Sequence, residues 1–406
     1  MKACGLIVEY NPLHNGHIYH INRAREVSGA ECIIAIMSGS FLQRGEPAII
    51  DKFHRTRAAL QNGVDIVVEL PFPFAVQSSE GFAKGAVQTL NEIGVSSICF
   101  GSESGHIKQF INSFQLLNDH KTTYETVLKQ SLGNGFSFPA ASEKAYRAIG
   151  FNENHVDLTK PNNILGFSYV REILANELPI QPLTIGRTKN DYHDTTISNQ
   201  IASATSIRKY LLSEQPSEKS GVERAIPSET LHELQAYKST TNTWHEWEQY
   251  FPLLNYIVSV TSVDELAQIN GMVEGIEHRI KKTARIATSM NQWIELIKTK
   301  RYTWTRIQRI FVYLLTRTTK DELNTFLNKA SVPYIRVLGL SKTGRSYVNV
   351  KKEALNVPII HNMSRSQPKI LSLEERATNA YYSIISPASR DKMLQQERRL
   401  PILIDD

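Results

Sequence analysis

The chain has 406 residues, 41% hydrophobic and 21% charged, with 46 Lys/Arg against 40 Asp/Glu and a formal net charge of +6. That length accommodates two domains of ordinary size, and the composition is that of a globular chain, not of a disordered or low-complexity one. No apolar run is long enough to span a bilayer and no secretory leader precedes the first one; Cys4, Cys32 and Cys99 form no Cys-x-x-Cys pair, which gives neither a disulfide framework nor a zinc site, so a soluble, cytoplasmic protein without membrane association is expected.

The first hundred residues repeat one theme. "CGLIVEY", "ECIIAIMSGS", "VDIVVELP" and "VSSICFGSES" are apolar runs, and a helical pattern separates each from the next. Strands this continuously apolar suit a parallel sheet covered on both faces. Their spacing of about thirty residues fits βαβ units, and Gly29, Gly63 and Gly94 stand where helix C-caps belong. The fold class predicted is α/β: a doubly wound, Rossmann-like parallel sheet. Ligands bind such sheets beyond the carboxyl ends of the strands, where "EYNPLHNGH", "MSGSF", "ELPFPF" and "FGSES" fall.

Residues of about 105–160 read as a helical insertion. "KPNNILGFSYVREIL" then begins a helix with a Pro-Asn-Asn entry, "LPIQPLTIGR" reads as a returning strand, and "IASATSIRKYLLSE" opens another helix. The polar stretch "SEQPSEKSGVERAIPSE" marks a boundary, giving a first domain of 1–212 and a mostly helical second domain of 213–406. Within the latter, "YIRVLGLSKTGRSYVNVKKEALNVPIIHNM" is a short αβ-like piece. Its "SKTGR" (341–345) is expected outside the sheet domain, as a possible RNA-contact loop.

His14-Asn15-Gly16-His17 follows the first strand and opens the first helix. One reading is a capped Asn-Gly turn with two surface histidines. The other is a phosphate site, with imidazoles donating to oxygens that gain charge in a transition state, next to the free N–H groups of a helix start. The strand–motif–helix context favours the second, and the motif resembles the HxGH signature of the HIGH nucleotidyltransferase superfamily. "IASATSIR" resembles that superfamily's ISSTxIR element, in which Ser203 and Thr205 would present hydroxyls at a helix start and Arg208 a fork of donors to the outer phosphates. An ordinary Ser N-cap with a solvated Arg is the plain alternative.

With both motifs in chain order, the sequence resembles along its whole length the bacterial tRNA(Met) cytidine acetate ligases, through "GLIVEYNPLHNGH", "MSGSFLQRGEPAI", "DIVVELP", "FGSE", "PNNILG", "GRTKNDYHD" and "IASATSIR". The resemblance implies activation of acetate by ATP as acetyl-adenylate, with release of pyrophosphate. Acetyl transfer to the N4 amine of the wobble cytidine of elongator tRNA(Met) follows. It also implies ATP contacts from Ile7, Val8, Glu9, Tyr10, Asn11, Pro12, Leu13, His14, Asn15, Gly16, His17, Ile18, Tyr19 and His20, and from Gly101, Asn162, Arg187 and Thr188. Arg171 stands in "VREIL" where the family pattern suggests Lys, a change that keeps the charge.

The chemistry of the residues agrees. Acetate and the α-phosphate are both anions, so cations or N–H groups must neutralise them as they meet. His14 and His17 fit that role as the catalytic pair, while Arg187 and Arg208 could clamp the outer phosphates. Mg²⁺ is expected with ATP, held mainly by phosphates and water and by no metal-ligating side chain, since no Asp/Glu cage stands out. Arg44 and Lys52 could face acetate or tRNA, or be solvated; Lys52 is expected to be solvated.

The RNA expectation rests on charge. Between His278 and Arg309 stand nine cations, Arg279, Lys281, Lys282, Arg285, Lys298, Lys300, Arg301, Arg306 and Arg309, against one carboxylate, Glu295. Trp293, Tyr302 and Trp304 are interleaved with them. Cations with aromatics are how unpaired bases are commonly held; the tryptophans read better as helix core and the cations as an RNA face. No stable protein partner is implied. Two rivals remain: a small-molecule adenylyltransferase or carboxylate ligase, which needs no basic second domain, and a non-catalytic RNA-binding protein that senses ATP without releasing pyrophosphate.

Overall fold

The computed structural model describes residues 1–187, 203–213, 223–329, 331–363 and 371–405. The four apolar runs form β1 (Ala3–Val8), β2 (Cys32–Ser38), β3 (Ile66–Leu70) and β4 (Ser97–Ser102), and the returning strand is β5 (Gln181–Gly186). All five are parallel in the order β5-β4-β1-β2-β3. Every residue of β2 and β3 is buried, which is why those runs lack polar alternation. Strand order reverses between β1 and its neighbours β2 and β4, and a crevice opens at such a switch point beyond the carboxyl ends. The three cysteines are buried and free.

Helix α1 (Asn15–Ser28) starts on the His14 cap and ends at Gly29, whose φ of +60° is the left-handed conformation glycine adopts without a Cβ penalty. Helix α2 (Lys52–Gln61) starts on Asp51, whose side chain accepts from the His54 N–H. Helices Ile107–Asp119, Lys121–Gly133 and Phe138–Ala148 fill the expected helical stretch, and helix Pro161–Ala175 carries the Pro-Asn-Asn entry at its start. No helix among the described residues is long and apolar enough to cross a membrane.

The C-terminal part returns to the sheet. Strand β6 (Ile335–Leu340), buried throughout, pairs antiparallel with β3, and β7 (Ile359–Ile360) and β8 (Ile402–Leu403) pair parallel with β6. The "SKTGR" segment, expected outside the sheet, is therefore corrected: it is the junction from β6 into helix Lys342–Lys351. Ser341 caps that helix and donates from Oγ to Asp65 at 3.0 Å, and a Cβ on Gly344 would lie 2.1 Å from the Asp65 carbonyl oxygen. A helix start pressed onto β3 in this way leaves no open loop for RNA.

The helices beyond residue 223 pack directly on the sheet part. One buried apolar cluster runs from Phe41, Ile49 and Phe72 through Trp247, Trp293 and Phe311 to Tyr381. The loop after β2 presses on this part at Gly45, with φ +80°, where a Cβ would lie 2.4 Å from the backbone nitrogen of Arg309.

Candidate active site

The segment after β1 turns sharply and fixes two imidazoles. Tyr10 takes a φ of +48° and sets its ring edge against His17, 5.1 Å between centroids. His14 Nδ1 accepts from the Gly16 N–H at 3.0 Å, and His17 Nδ1 accepts from the His14 N–H at 3.2 Å. The rings lie close, 3.9 Å between centroids, with their planes tilted by 30°. Since each Nδ1 is an acceptor, each neutral imidazole carries its proton on Nε2. Burial keeps them neutral. It draws His14 down to about 3, with Arg187 and Arg208 adding to the effect, and it holds His17 well below the ordinary histidine range, with His14 adding to it. The pair is thus two uncharged N–H donors at the start of α1, an arrangement made for phosphate oxygens.

His20, one turn on, directs Nε2 to the carbonyl oxygen of Cys99 at 3.1 Å, and burial draws it down to about 4. Asn11 Oδ1 accepts from the Ile49 N–H at 2.7 Å; its Nδ2 and the Tyr10 hydroxyl are buried without a partner among the described residues. Val8, Pro12 and Leu13 are buried beneath the turn, Ile7, Gly16 and Ile18 are half-buried, and Asn15 donates to the Arg224 carbonyl at 2.9 Å. Tyr19 lies on the outer side of α1, 40% exposed.

The second motif reaches the first. Ser203 caps helix Ala204–Leu212, accepting from the Ser206 N–H at 3.1 Å, and Thr205 is exposed in its first turn. Arg208 donates from Nη1 to the Asn11 carbonyl at 2.9 Å and pairs through Nη2 with Glu46 at 3.3 Å. On the other side, Arg187 at the end of β5 donates to Asn162 Oδ1 at 3.0 Å and lies over Gly101, where a Cβ would stand 3.4 Å from its Cγ. Glu103 ties this corner together, accepting from Asn162 Nδ2 at 2.7 Å and from the Asn163 N–H at 2.9 Å. Thr188, Ile201 and Ala202 lie outside the described residues.

Two residues escape a reading of the sequence. Arg55 is buried and donates to four carbonyls, of Ile50 (3.2 Å), Glu9 (2.8 Å), Ser38 (2.9 Å) and Gly39, so one guanidinium fixes the ends of both β1 and β2. Lys52 is the correction to the expected solvated cation. It is 1% exposed, with Nζ 2.7 Å from Glu69 Oε1 and 2.9 Å from Glu397 Oε1. Arg336 pairs with Glu69 at 2.8 Å and also with Glu397. This buried cluster lies under the "MSGSF" loop, since a Cβ on Gly39 would stand 2.3 Å from Glu69 Oε1. Neither signal is visible locally: α2 carries several cations, and the partners of Lys52 lie far along the chain.

The basic cluster is mostly engaged in structure. Arg279 donates to the Leu296 carbonyl at 2.7 Å, and Lys281 donates to the last carbonyls of helix Trp247–Val260, Val258 (3.2 Å) and Ser259 (3.3 Å). Lys298 pairs with Glu295 and Arg301 with Glu274, while Arg306 lies 4.2 Å over the Tyr302 ring. Arg309 is half-buried on helix Trp304–Leu315. Lys282, Arg285 and Lys300 are exposed and have no hydrogen-bond or ion-pair partner among the described residues. Trp293 is core, its Nε1 donating to Thr283 Oγ1 at 3.1 Å, and Tyr302 is buried.

Known proteins share this fold. A family model described as HIGH Nucleotidyl Transferase matches residues 1–397. A tRNA(Met) cytidine acetate ligase of Oceanobacillus iheyensis is 55% identical over 404 residues, covering 100% of both chains. That of Bacillus subtilis is 43% identical, covering 100% of this chain and 98% of its own. The crystal structure of Thermotoga maritima TmcAL in its apo form superposes with a TM-score of 0.91 at 32% identity over 100% of both chains, and the same protein bound with alpha-thio ATP with a TM-score of 0.88.

Proposed function

The chain belongs to the family of tRNA(Met) cytidine acetate ligases among the HIGH nucleotidyl transferases, and from that membership we propose that it uses ATP to join acetate to the N4 amine of the wobble cytidine of elongator tRNA(Met). The observation that carries the reading is the pair of neutral Nε2–H donors on His14 and His17, held at a helix start beside Arg208.

In the first half-reaction an acetate oxygen attacks the α-phosphorus and pyrophosphate leaves. Negative charge moves onto the bridging and outer phosphate oxygens, and fixed donors stabilise it there without reorganising. His14 and His17 supply those donors, Arg187 and Arg208 the positive charge that draws in the triphosphate, and Ser203 and Thr205 a second helix start. Among the described residues no group of three His, Cys, Asp or Glu forms a metal cage. Mg²⁺ brought in with ATP, on its phosphates and water, would supply charge neutralisation.

In the second half-reaction the cytidine amine takes the acetyl group. We assign tRNA to the helical part, with Lys282, Arg285 and Lys300 as its unpaired cations, and place the enzyme in the cytoplasm with its substrate. The test is pyrophosphate release that depends on acetate, followed by transfer of labelled acetate to tRNA(Met). Release with another carboxylate and no transfer would favour the small-molecule ligase, and ATP binding without release the ATP-sensing RNA binder.

A further inference from the structure

We infer that Glu9 is the general base of the acetyl-transfer half-reaction, an inference that rests on the ligase reading above. The step needs a proton acceptor. As the N4 nitrogen attacks the acetyl carbonyl, an N–C bond forms and the C–O bond to the adenylate phosphate breaks. AMP leaves with that electron pair as a stable anion and needs no proton. The nitrogen, passing from amine to amide, must lose one.

The histidines that serve adenylation are unsuited to receive it. Both His14 and His17 have Nδ1 occupied by a backbone N–H and carry the proton on Nε2. The neighbouring carboxylates are also committed. Glu46 is paired with Arg208, Glu103 accepts from Asn162 and Asn163, and Asp51 binds His54 through one oxygen and Tyr382 through the other. Glu9 differs. Its Oε1 accepts from the Gln43 N–H at 2.8 Å, Oε2 has no partner among the described residues, and the side chain is half-buried.

Its position is held from two sides. Arg55 donates to its carbonyl oxygen at 2.8 Å, and the loop bearing Gln43 rests through Gly45 on the backbone of Arg309, in the basic segment. Glu9 thus stands between the nucleotide motifs and the part of the molecule assigned to tRNA. The groups that face it are Glu46, Arg44 and Arg208, together with Tyr169 from helix Pro161–Ala175. Burial and, less strongly, Glu46 raise its carboxyl above the ordinary range against the two arginines and the Gln43 N–H, which makes it a better proton acceptor than a free carboxylate. His20 is the other group with a lone pair, on Nδ1, but its Nε2 is fixed on the Cys99 carbonyl and burial makes it a weak base.

The experiment loads wild type and Glu9→Gln with acetyl-adenylate, using ATP, acetate and pyrophosphatase, then adds tRNA(Met) and follows a single turnover from pH 5 to 9. Glutamine keeps an oxygen for the Gln43 N–H, so a purely anchoring role survives the change. The expected result is transfer slowed about 10²-fold or more, far more than adenylation is slowed. Wild-type transfer should rise with pH as Glu9 ionises and then level, and the variant should lose that rise. Glu9→Asp, which keeps the base, should recover part of the rate and the rise. Transfer at the wild-type rate in Glu9→Gln, a parallel fall of both half-reactions, or loss of the pH rise in His20→Asn instead would overturn the assignment. A wild-type enzyme that forms no acetyl-adenylate, or never passes it to tRNA, would defeat the ligase reading and this assignment with it, an outcome told apart from the others because it appears before any variant is compared.

Discussion

Nη1 of Arg208 donates to the carbonyl oxygen of Asn11 at 2.9 Å, across 197 positions of the chain. The late motif therefore shapes the early one: the turn that aims two histidines is held by a side chain from the helix start proposed to bind outer phosphates. Arg208→Ala removes a charge-assisted hydrogen bond worth about 1.5–3 kcal/mol. The expected outcome is a KM for ATP raised roughly tenfold to a hundredfold, with tRNA affinity little changed. Equal loss of both ligands would mark a structural role for this helix.

His17→Ala deletes a donor to transition-state charge and also the acceptor for the His14 N–H. Acetate-dependent pyrophosphate release should fall by about 10²–10³, the scale for one such donor, while the melting temperature shifts by only a few degrees. Because both imidazoles are already neutral well above the pH at which His14 would charge, about 3, adenylation should show no histidine titration between pH 6 and 8. A rate limb in that window which disappears in His17→Ala would contradict the neutral-donor role.

Arg55 offers a separable prediction. Removing it leaves the carbonyls of Glu9, Ser38 and Gly39 short of a donor, each buried vacancy costing on the order of 1–3 kcal/mol. Arg55→Lys cannot reach all three, so it should lose both melting temperature and ATP affinity. Destabilisation with an unchanged KM for ATP would show that the strand ends keep their geometry without it.

These cases explain what the sequence made legible. The four apolar runs, the HNGH turn and the Ser203 cap are local signals, written within a few residues of each other and read from period and capping chemistry. Lys52, Arg55 and Lys281 are not local. Each looks like one more cation on an amphipathic helix, and its role is set by carboxylates or carbonyls brought in by the fold. Strand β6 was legible as part of an αβ-like piece, but its place in the sheet was not, because nothing in "YIRVLGL" states which strand it will pair with.

Lys52 and its carboxylates predict a pH profile of stability. Lys52→Met leaves Glu69 and Glu397 buried with one cation fewer, a loss of about 3–5 kcal/mol. Burial and the charge of Glu69 push Glu374 up to about 7, so the folded state holds its proton more tightly than the unfolded chain, with its ordinary value of 4.5. That contribution is full below 4.5 and is lost as pH rises through 7. Glu397 runs the other way: burial alone would raise it, but Arg336 and Lys52 draw it down to about 2, so its contribution is present above 4.5 and lost as pH falls toward 2. Urea denaturation should therefore show highest stability near pH 5, and Glu374→Gln should flatten the decline between pH 5 and 8. A wild-type profile flat across that range would refute the assignment.

The basic segment divides into cations that hold the structure and cations left for RNA. Lys281 donates to carbonyls at the end of helix Trp247–Val260, where a cation also opposes the helix dipole, so Lys281→Ala should lower stability by about 0.3–1 kcal/mol. Lys282 and Arg285 have no partner among the described residues, so replacing both by Ala should leave the melting temperature and acetyl-adenylate formation alone. If each meets a phosphate, the salt dependence of tRNA binding should lose roughly one unit of slope per contact, and acetyl transfer at low tRNA concentration should fall with it. The measurement is a salt titration of tRNA(Met) binding for wild type and the double variant, beside single-turnover transfer. Unchanged slopes and rates would remove these two side chains from the RNA face, and Lys300 would then be the remaining unpaired cation of the segment to carry it.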